Sequence, residues 1–536
     1  LILAALLLLG WFSPQAGDRW FHPIEQSLAR FSRRRGLTVV SLGITAILIR
    51  LAVLPVSPVP VPAVHDEFSY LLSADTFAHG RLANPPHPMW MFFDTFHVLQ
   101  QPTYASKYPP GNGAVMAIGQ LLGHPWIGVL LSMAAMVMAM TWMLQGWFPA
   151  PWALLGGALI VARLGSFTYW VDSYYNGSVA AVGAALVLGA FPRIVRTARE
   201  QDAVVMGAGA VILACSRPVE GFLFCLPVAI ALPLAFKSKP KVPVRFVPLV
   251  VLPLLLVLAA GLIFLVFYNT RVTGNPMLFP YVAYHRQYFN YPVFAWQVVP
   301  APLHYSNPQF EDFFNRFQRA SYPLTWAGWK VRTSFASWVW WYIFLGPVLT
   351  IPFVMLPRML RDRRMRLPLF QFLLCAAGLL SIVWFQPHYA APLAAALFIL
   401  LVQAIRHLRH ARIKNKPVGI FLTRLIVLLA IDWIVIQAGH AARHPMVGWA
   451  TQRAQIIRRM ESSPGRHLVL VRYASGHNVH HEWVYNAADI DQAKVVWARE
   501  IPGQDLHPLL NYFKDRKTWL IEPDKSPPEL RPYPAD

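Results

Sequence analysis

Four short polar stretches interrupt a largely apolar chain, and each sets a titratable or cationic side chain beside a long hydrophobic run. The first, HDEFSY, opens on the adjacent carboxylates Asp66 and Glu67. A carboxylate within reach of a hydroxyl can take its proton, which is the task of a general base. Phe68, Leu71 and Leu72 follow at helical spacing and make one apolar stripe, suited to a helix lying in a membrane interface. Asp66 then stands at the N-terminus of that helix, where the dipole favours negative charge. The same placement also describes an ordinary helix cap with an acidic first turn.

The second stretch is SKYPPG, in which Lys107 is one of two basic residues between positions 57 and 110. Two prolines and a glycine fix the approach of the chain, so the ammonium is held, and a held ammonium is a phosphate contact. The alternative is a lysine snorkelling to the headgroups. The third, CSRPVEG, places Arg217 and Glu220 inside what is otherwise continuous apolar sequence. Ionisable groups there are costly and imply function, unless the two simply pair across a tight turn. The fourth, FQPHYAAP, carries His388 and Tyr389 where one apolar run meets the next, a common place for interfacial anchors. Asp172, in YWVDSYYNG, is a reserve carboxylate within an aromatic belt.

The elements that position these residues follow from composition. Of 536 residues 56% are hydrophobic and 13% charged, with mean hydropathy +0.41. Soluble domains carry about 25% charged residues, so disordered chains and most soluble enzymes are excluded. Apolar windows of span length fall near 37–56, 124–145, 150–166, 177–192, 203–215, 219–236, 246–268, 338–357, 367–385, 388–405 and 418–438. The opening stretch 1–12 reads as a clipped span rather than a signal peptide. The expectation is an α-helical polytopic membrane protein of about eleven or twelve spans.

The net charge of +22 raises the question of nucleic acid, and its distribution answers it. Loops 13–36, 193–202, 237–245, 358–366 and 406–417 hold 22 basic residues against five acids. Basic loops alternate with neutral ones, which marks them as cytoplasmic insertion signals, helped by anionic lipid, and implies no nucleic acid. The long segments 57–110 and 269–337 are then outer loops, and length beyond what a turn needs puts the working face outside. Localisation follows as a multi-pass inner (cell) membrane protein with an extracytoplasmic site.

From residue 439 the chain changes character. A helix over 450–460, strands at 467–473, 494–498 and 518–521 and a helix over 509–513 predict a small soluble extracytoplasmic α/β domain, 439–536, after a membrane domain, 1–438. His477, His480, His481 and Glu482 match no standard zinc spacing and read as a polar loop. Cys215, Cys225 and Cys375 lie in or beside apolar runs and suggest no disulfide framework.

The order D-E-x-x-Y (Asp66, Glu67, Tyr70), then K-x-P-P (Lys107), resembles the GT-C membrane glycosyltransferases, in the branch of the protein O-mannosyltransferases and the lipid A aminoarabinose transferase. The resemblance implies a GT-C-like helical bundle, a large first outer loop and a polyprenyl-phosphate-linked sugar donor. It implies catalysis at Asp66, and the acceptor hydroxyl's need for a nearby base puts Glu67 or Asp172 in reserve. The resemblance also implies a lipid-phosphate contact from Lys107 and makes His388-Tyr389 a variant of a late R-Y-x-x-P element. The leaving phosphate's need for cations adds Arg217 as a second contact, with Tyr70, His388 and Tyr389 as further substrate-binding candidates. Ser69 and His388 depart from the basic residues usual at their positions. Some members of that family place a divalent metal on the equivalent carboxylate and others need none, so a metal is left open and no other cofactor is implied. The acceptor is a lipid, a polysaccharide or a protein. The competing readings are a lipid-linked saccharide flippase or transporter, which usually shows repeated halves that this sequence lacks, and a bundle that merely anchors the tail.

Overall fold

The computed structural model describes residues 10–175, 177–237, 247–289, 292–319 and 325–534. The expected segment 1–12 (up to residue 9) and the basic loop 237–245 beyond Lys237 lie outside the described residues.

Among the described residues, seven helices are long and apolar enough to cross a membrane: Arg35–Ala52, Pro125–Trp147, Gly177–Thr197, Pro218–Phe236, Val247–Thr273, Pro387–Arg409 and Val418–Arg443. The remaining expected spans differ. Ala150–Leu164 and Arg366–Ser381 are helices of 15 and 16 residues, short of the roughly 17–25 of a spanning helix, and Glu200–Ser216, of 17 residues, stands at the lower end of that range. The window at 338–357 is bent by 92° between Trp326–Phe344 and Gly346–Arg361. Gly346 sits there at φ +59 before Pro347, a backbone that most side chains avoid and that ends the helix. Apolar windows detect hydrophobic helices but not their breaks, so against the eleven or twelve expected spans the described residues hold seven helices of span length, or eight spans if the bent pair counts as one.

Helix Pro387–Arg409 is the hub, with 94% of its apolar window buried, against 17% for the peripheral Val247–Thr273. Its alanines, Ala391 and Ala394 to Ala396, are fully buried and let neighbours pack closely. The helix begins beside His388 and ends at Arg406 and Arg409, so the polar site and the basic loops stand at opposite ends, roughly 30 Å apart.

At the site end, the first long loop folds into helix His65–Ala78, a 3₁₀ turn Trp90–Phe93 and a two-stranded hairpin. Its strands β1 (Val98–Leu99) and β2 (Ala105–Ser106) pair Val98 with Ser106 and Leu99 with Ala105. Helix Pro110–Leu121 then packs on His65–Ala78, and a Cβ on Gly113 would come within 2.4 Å of Ser73 Cβ.

The tail holds helix Trp449–Ser462 and a four-stranded sheet ordered β4-β3-β5-β6. Strands β3 (His467–Val471), β4 (Val495–Arg499) and β5 (Lys517–Glu522) are parallel, and β6 (Glu529–Pro532) adds an antiparallel edge that the sequence pattern did not suggest. One face of this sheet shares a hydrophobic core with the first loop: Leu468, Leu470 and Tyr485 pack with Phe68, Leu72 and Phe93. Phe68 and Tyr485 stack at 4.1 Å. This corrects the reading of helix 66–79 as interfacial, because its stripe at Phe68 and Leu72 is covered by protein. Asp75 accepts the Ala488 N–H at 2.6 Å, and Arg499, paired with Glu482 at 2.5 Å, donates to Gln309 at 2.7 Å.

Candidate active site

The hairpin β1–β2 carries the site, because its register sets His97 against Lys107, whose N–H donates to the His97 carbonyl at 3.2 Å. His97 adopts φ +65, an uncommon backbone for a residue with a side chain. It is held there by three bonds. The Tyr284 hydroxyl accepts its N–H at 2.8 Å, while its carbonyl accepts from Ser69 Oγ at 2.6 Å and from Lys107. Ser69, where the family resemblance suggested a basic residue, is therefore a brace for His97, and lies 2.7 Å from Ser106 Oγ.

Lys107 is 3% exposed and surrounded by the rings of Tyr108, Tyr281, Tyr284 and Phe289 at 4.9–5.2 Å. Such rings attract a cation through their negative faces. Burial pushes the amine down to about 7, with the Asp66 charge opposing that shift. Lys107 Nζ donates to His97 Nδ1 at 2.7 Å, which leaves the proton of the neutral imidazole on Nε2. Nε2 lies 3.7 Å from Asp66 Oδ2. Burial, reinforced by the nearby Lys107, holds His97 well below the usual histidine range. The Tyr108 hydroxyl donates to the other oxygen, Asp66 Oδ1. Two hydrogen-bonded pairs, Lys107–His97 and Tyr108–Asp66, thus meet across the 3.7 Å gap between His97 and Asp66, and Asp66 is partly open to a cavity of about 280 Å³.

That cavity brings together Asp66, Lys107 and Tyr389 of the sequence-derived residues. Tyr70 is behind the wall, stacked on Tyr108 at 4.3 Å. Arg217 is also one layer back. Its guanidinium lies 4.3 Å over the Tyr389 ring and its Nη2 is buried without a hydrogen-bond partner. Among the described residues it makes no ion-pair contact within 4 Å with Glu220, so the turn pair considered from sequence is reduced to attraction at longer range. His388 points to Tyr169, whose hydroxyl is 3.0 Å from Nδ1, and packs on Tyr175.

Glu67 is placed elsewhere. Its Oε2 accepts the N–H groups of Ala63 and Val64 at 2.8 and 3.0 Å, and its Oε1 that of Tyr174 at 2.9 Å. Burial pushes this carboxyl up to about 7, against the pull of those three N–H groups. Its role is to fasten two loops at the helix start. Replacing Glu67 by Gln turns an amide N–H₂ toward backbone donors and should destabilise the fold by about 1–3 kcal/mol, read in an unfolding titration. Any activity per folded molecule should change much less, and loss of activity with unchanged stability would return Glu67 to the chemistry. Asp172 likewise is bound, by Arg50 at 2.8 Å, and burial pushes it up to about 6.

Sequence reasoning missed His97, Tyr108 and the rings around Lys107. It also missed His480, which comes from the tail to the cavity rim, 4.6 Å from the Phe317 ring. The rest of its polar cluster is dispersed: His477 pairs with Asp524 at 2.7 Å, His481 stacks on Trp449, and Glu482 binds Arg499. No group of three His, Cys, Asp or Glu is arranged to hold a metal among the described residues. The donor set at Asp66 does not fit a divalent cation either, since His97 gives its free lone pair to an ammonium whose charge would oppose it.

No family model and no curated protein matches the chain. Among the solved structures that resemble its fold are two proteins. One is ArnT from Cupriavidus metallidurans, solved in the apo state and bound to undecaprenyl phosphate, with TM-score 0.49, 13% identity and coverage of 89% of this chain and 92% of that one. The other is the oligosaccharyltransferase AglB from Archaeoglobus fulgidus, in complex with an inhibitory peptide and a dolichol-phosphate, with TM-score 0.45, 12% identity and coverage of 90% and 69%. Similarities this distant assign no residue role and no reaction to this chain.

Proposed function

We propose that the protein is a membrane glycosyltransferase. It moves a sugar from a polyprenyl-phosphate donor to the hydroxyl of an acceptor at the outer face of an inner (cell) membrane. The observation that carries this reading is the meeting of a carboxylate, Asp66, and a caged ammonium, Lys107, at one cavity at the end of a membrane bundle. A hydroxyl nucleophile needs a base and a phosphate leaving group needs a cation, and both are present within one small space.

In this mechanism the acceptor oxygen gives its proton to Asp66 and attacks the anomeric carbon. The bond from that carbon to the phosphate oxygen breaks, and the electron pair leaves with the polyprenyl phosphate. Lys107 meets the growing phosphate charge, and Arg217 adds positive potential from behind Tyr389. One displacement inverts the anomeric centre. The acceptor is a lipid, polysaccharide or protein hydroxyl.

The test uses proteoliposomes with a polyprenyl-phosphate donor labelled in its sugar. Loss of label from the lipid with release of polyprenyl phosphate is the expected result. Movement of intact donor between leaflets, with no cleavage for any acceptor class, would instead make the protein a flippase.

Orientation has its own test. With cysteines placed at the exposed Met91 and Ser475, an impermeant maleimide should label both in intact cells, whereas Arg412→Cys should react only after lysis. The reverse pattern would put the site in the cytoplasm and remove an outer-face acceptor.

A further inference from the structure

The opposite end of the bundle holds a second cavity, of about 560 Å³, that the proposed transfer does not use. It is lined by Arg35, Arg193, Arg196 and Arg199, with Asp202 as its one carboxylate. Arg193 and Arg196 stand one turn apart on helix Gly177–Thr197, where like charges repel, and Arg199 follows just past its end, at the N-cap of helix Glu200–Ser216. Arg193 is locked in place: its guanidinium donates to the carbonyls of Gly189 at 2.6 Å and Trp142 at 2.8 Å and lies 3.8 Å over the Trp142 ring. Arg196 donates to the Gly146 carbonyl at 2.9 Å. Arg35 and Arg199 are exposed at the mouth.

A neighbouring cavity on the same face shows how the protein handles arginines that need no ligand. There, Arg424 and Arg409 are answered by its own carboxylates, Asp18 and Glu25, with the Arg409–Glu25 contact at 2.9 Å. At the first cavity none of the four arginines makes an ion pair among the described residues. Four guanidiniums and one carboxylate leave an uncompensated positive charge in a concave site at headgroup level, and planar forks of this kind match phosphate oxygens two at a time.

We propose that this cleft binds a phosphate group, carried by an anionic phospholipid of the adjoining leaflet or by a soluble phosphate. The site is independent of the transfer chemistry and stands or falls without it. The test is thermal unfolding of the full chain in phosphatidylcholine nanodiscs, titrated with phosphatidylglycerol during assembly or with inorganic phosphate afterwards. Protection by phosphatidylglycerol alone identifies the lipid as the source, and protection by inorganic phosphate identifies the soluble anion. R35Q/R199Q removes two exposed charges that make no side-chain hydrogen bond among the described residues, so it should fold, and it should weaken the protecting interaction about tenfold. R412Q/K414Q removes the same charge from another loop of the same face and should keep it. No protection by either probe, or equal loss in the two double variants, would overturn the site and leave only general attraction to a basic surface.

Discussion

Asp66→Asn should lower the transfer rate by about 10²–10⁴-fold, the usual worth of a positioned general base. The amide keeps the shape and can still accept from the Tyr108 hydroxyl, but it cannot take the acceptor's proton. Donor affinity should stay within a few-fold, because the leaving phosphate is met by Lys107 rather than by the carboxylate. The measurement is single-turnover transfer from labelled donor, with donor binding determined separately. Tyr108→Phe should cost less, since it removes one hydrogen bond to Asp66 and leaves the base. A near-normal rate for Asp66→Asn would move the base elsewhere. Asp172 is poorly placed to inherit the role, being tied to Arg50.

Lys107→Ala should act on both binding and rate, because the same ammonium meets a charge that exists in the donor and grows as the bond breaks. A charge-assisted bond of about 1.5–3 kcal/mol corresponds to roughly 10–150-fold in donor affinity, with a further loss in rate. Arg at this position should rescue only in part, since a planar fork does not fit the ring cage of a compact ammonium. The pH dependence has a definite sign. Lys107 in the free site is held down to about 7, so its charged fraction falls as pH rises through 7. Donor affinity should therefore weaken from pH 6 to pH 8, with proton uptake on binding at the upper end, and Lys107→Ala should flatten the profile. An unchanged profile in the variant would assign the pH effect to another group.

Much of the architecture is legible in sequence because it is written in local terms. Apolar windows, basic loops and the short apolar strands of the tail are features of contiguous sequence, and the hub helix Pro387–Arg409 and strands β3, β4 and β5 answer to them. Asp66, Lys107 and Arg217 stand out for a related reason, as rare charges in apolar surroundings. His97 does not, because its role depends on the register of a hairpin whose strands are two residues long, too short for any periodic pattern. His480 reaches the cavity rim across some 400 residues of sequence, and Glu67 looks like its neighbour Asp66 until its three backbone donors are seen. The stripe of helix His65–Ala78 signals an apolar neighbour correctly, but a stripe cannot say whether that neighbour is lipid or a sheet made later in the chain.

That shared core fixes an order of events during synthesis. Helix His65–Ala78 leaves the ribosome early, yet the residues that cover Phe68 and Leu72 lie in β3 and beyond, about 360 residues after the first loop ends. At roughly 5–20 residues per second the loop waits on the order of 20–70 s for its cover. During that interval Asp66 and Lys107 already sit on the emerging chain, but the surface that buries their helix is missing. The site can therefore take its final form only after the C-terminal segment has been delivered to the same side of the membrane. A chain stalled or cut before residue 467 would carry every residue of the proposed chemistry and still lack the packing that sets them.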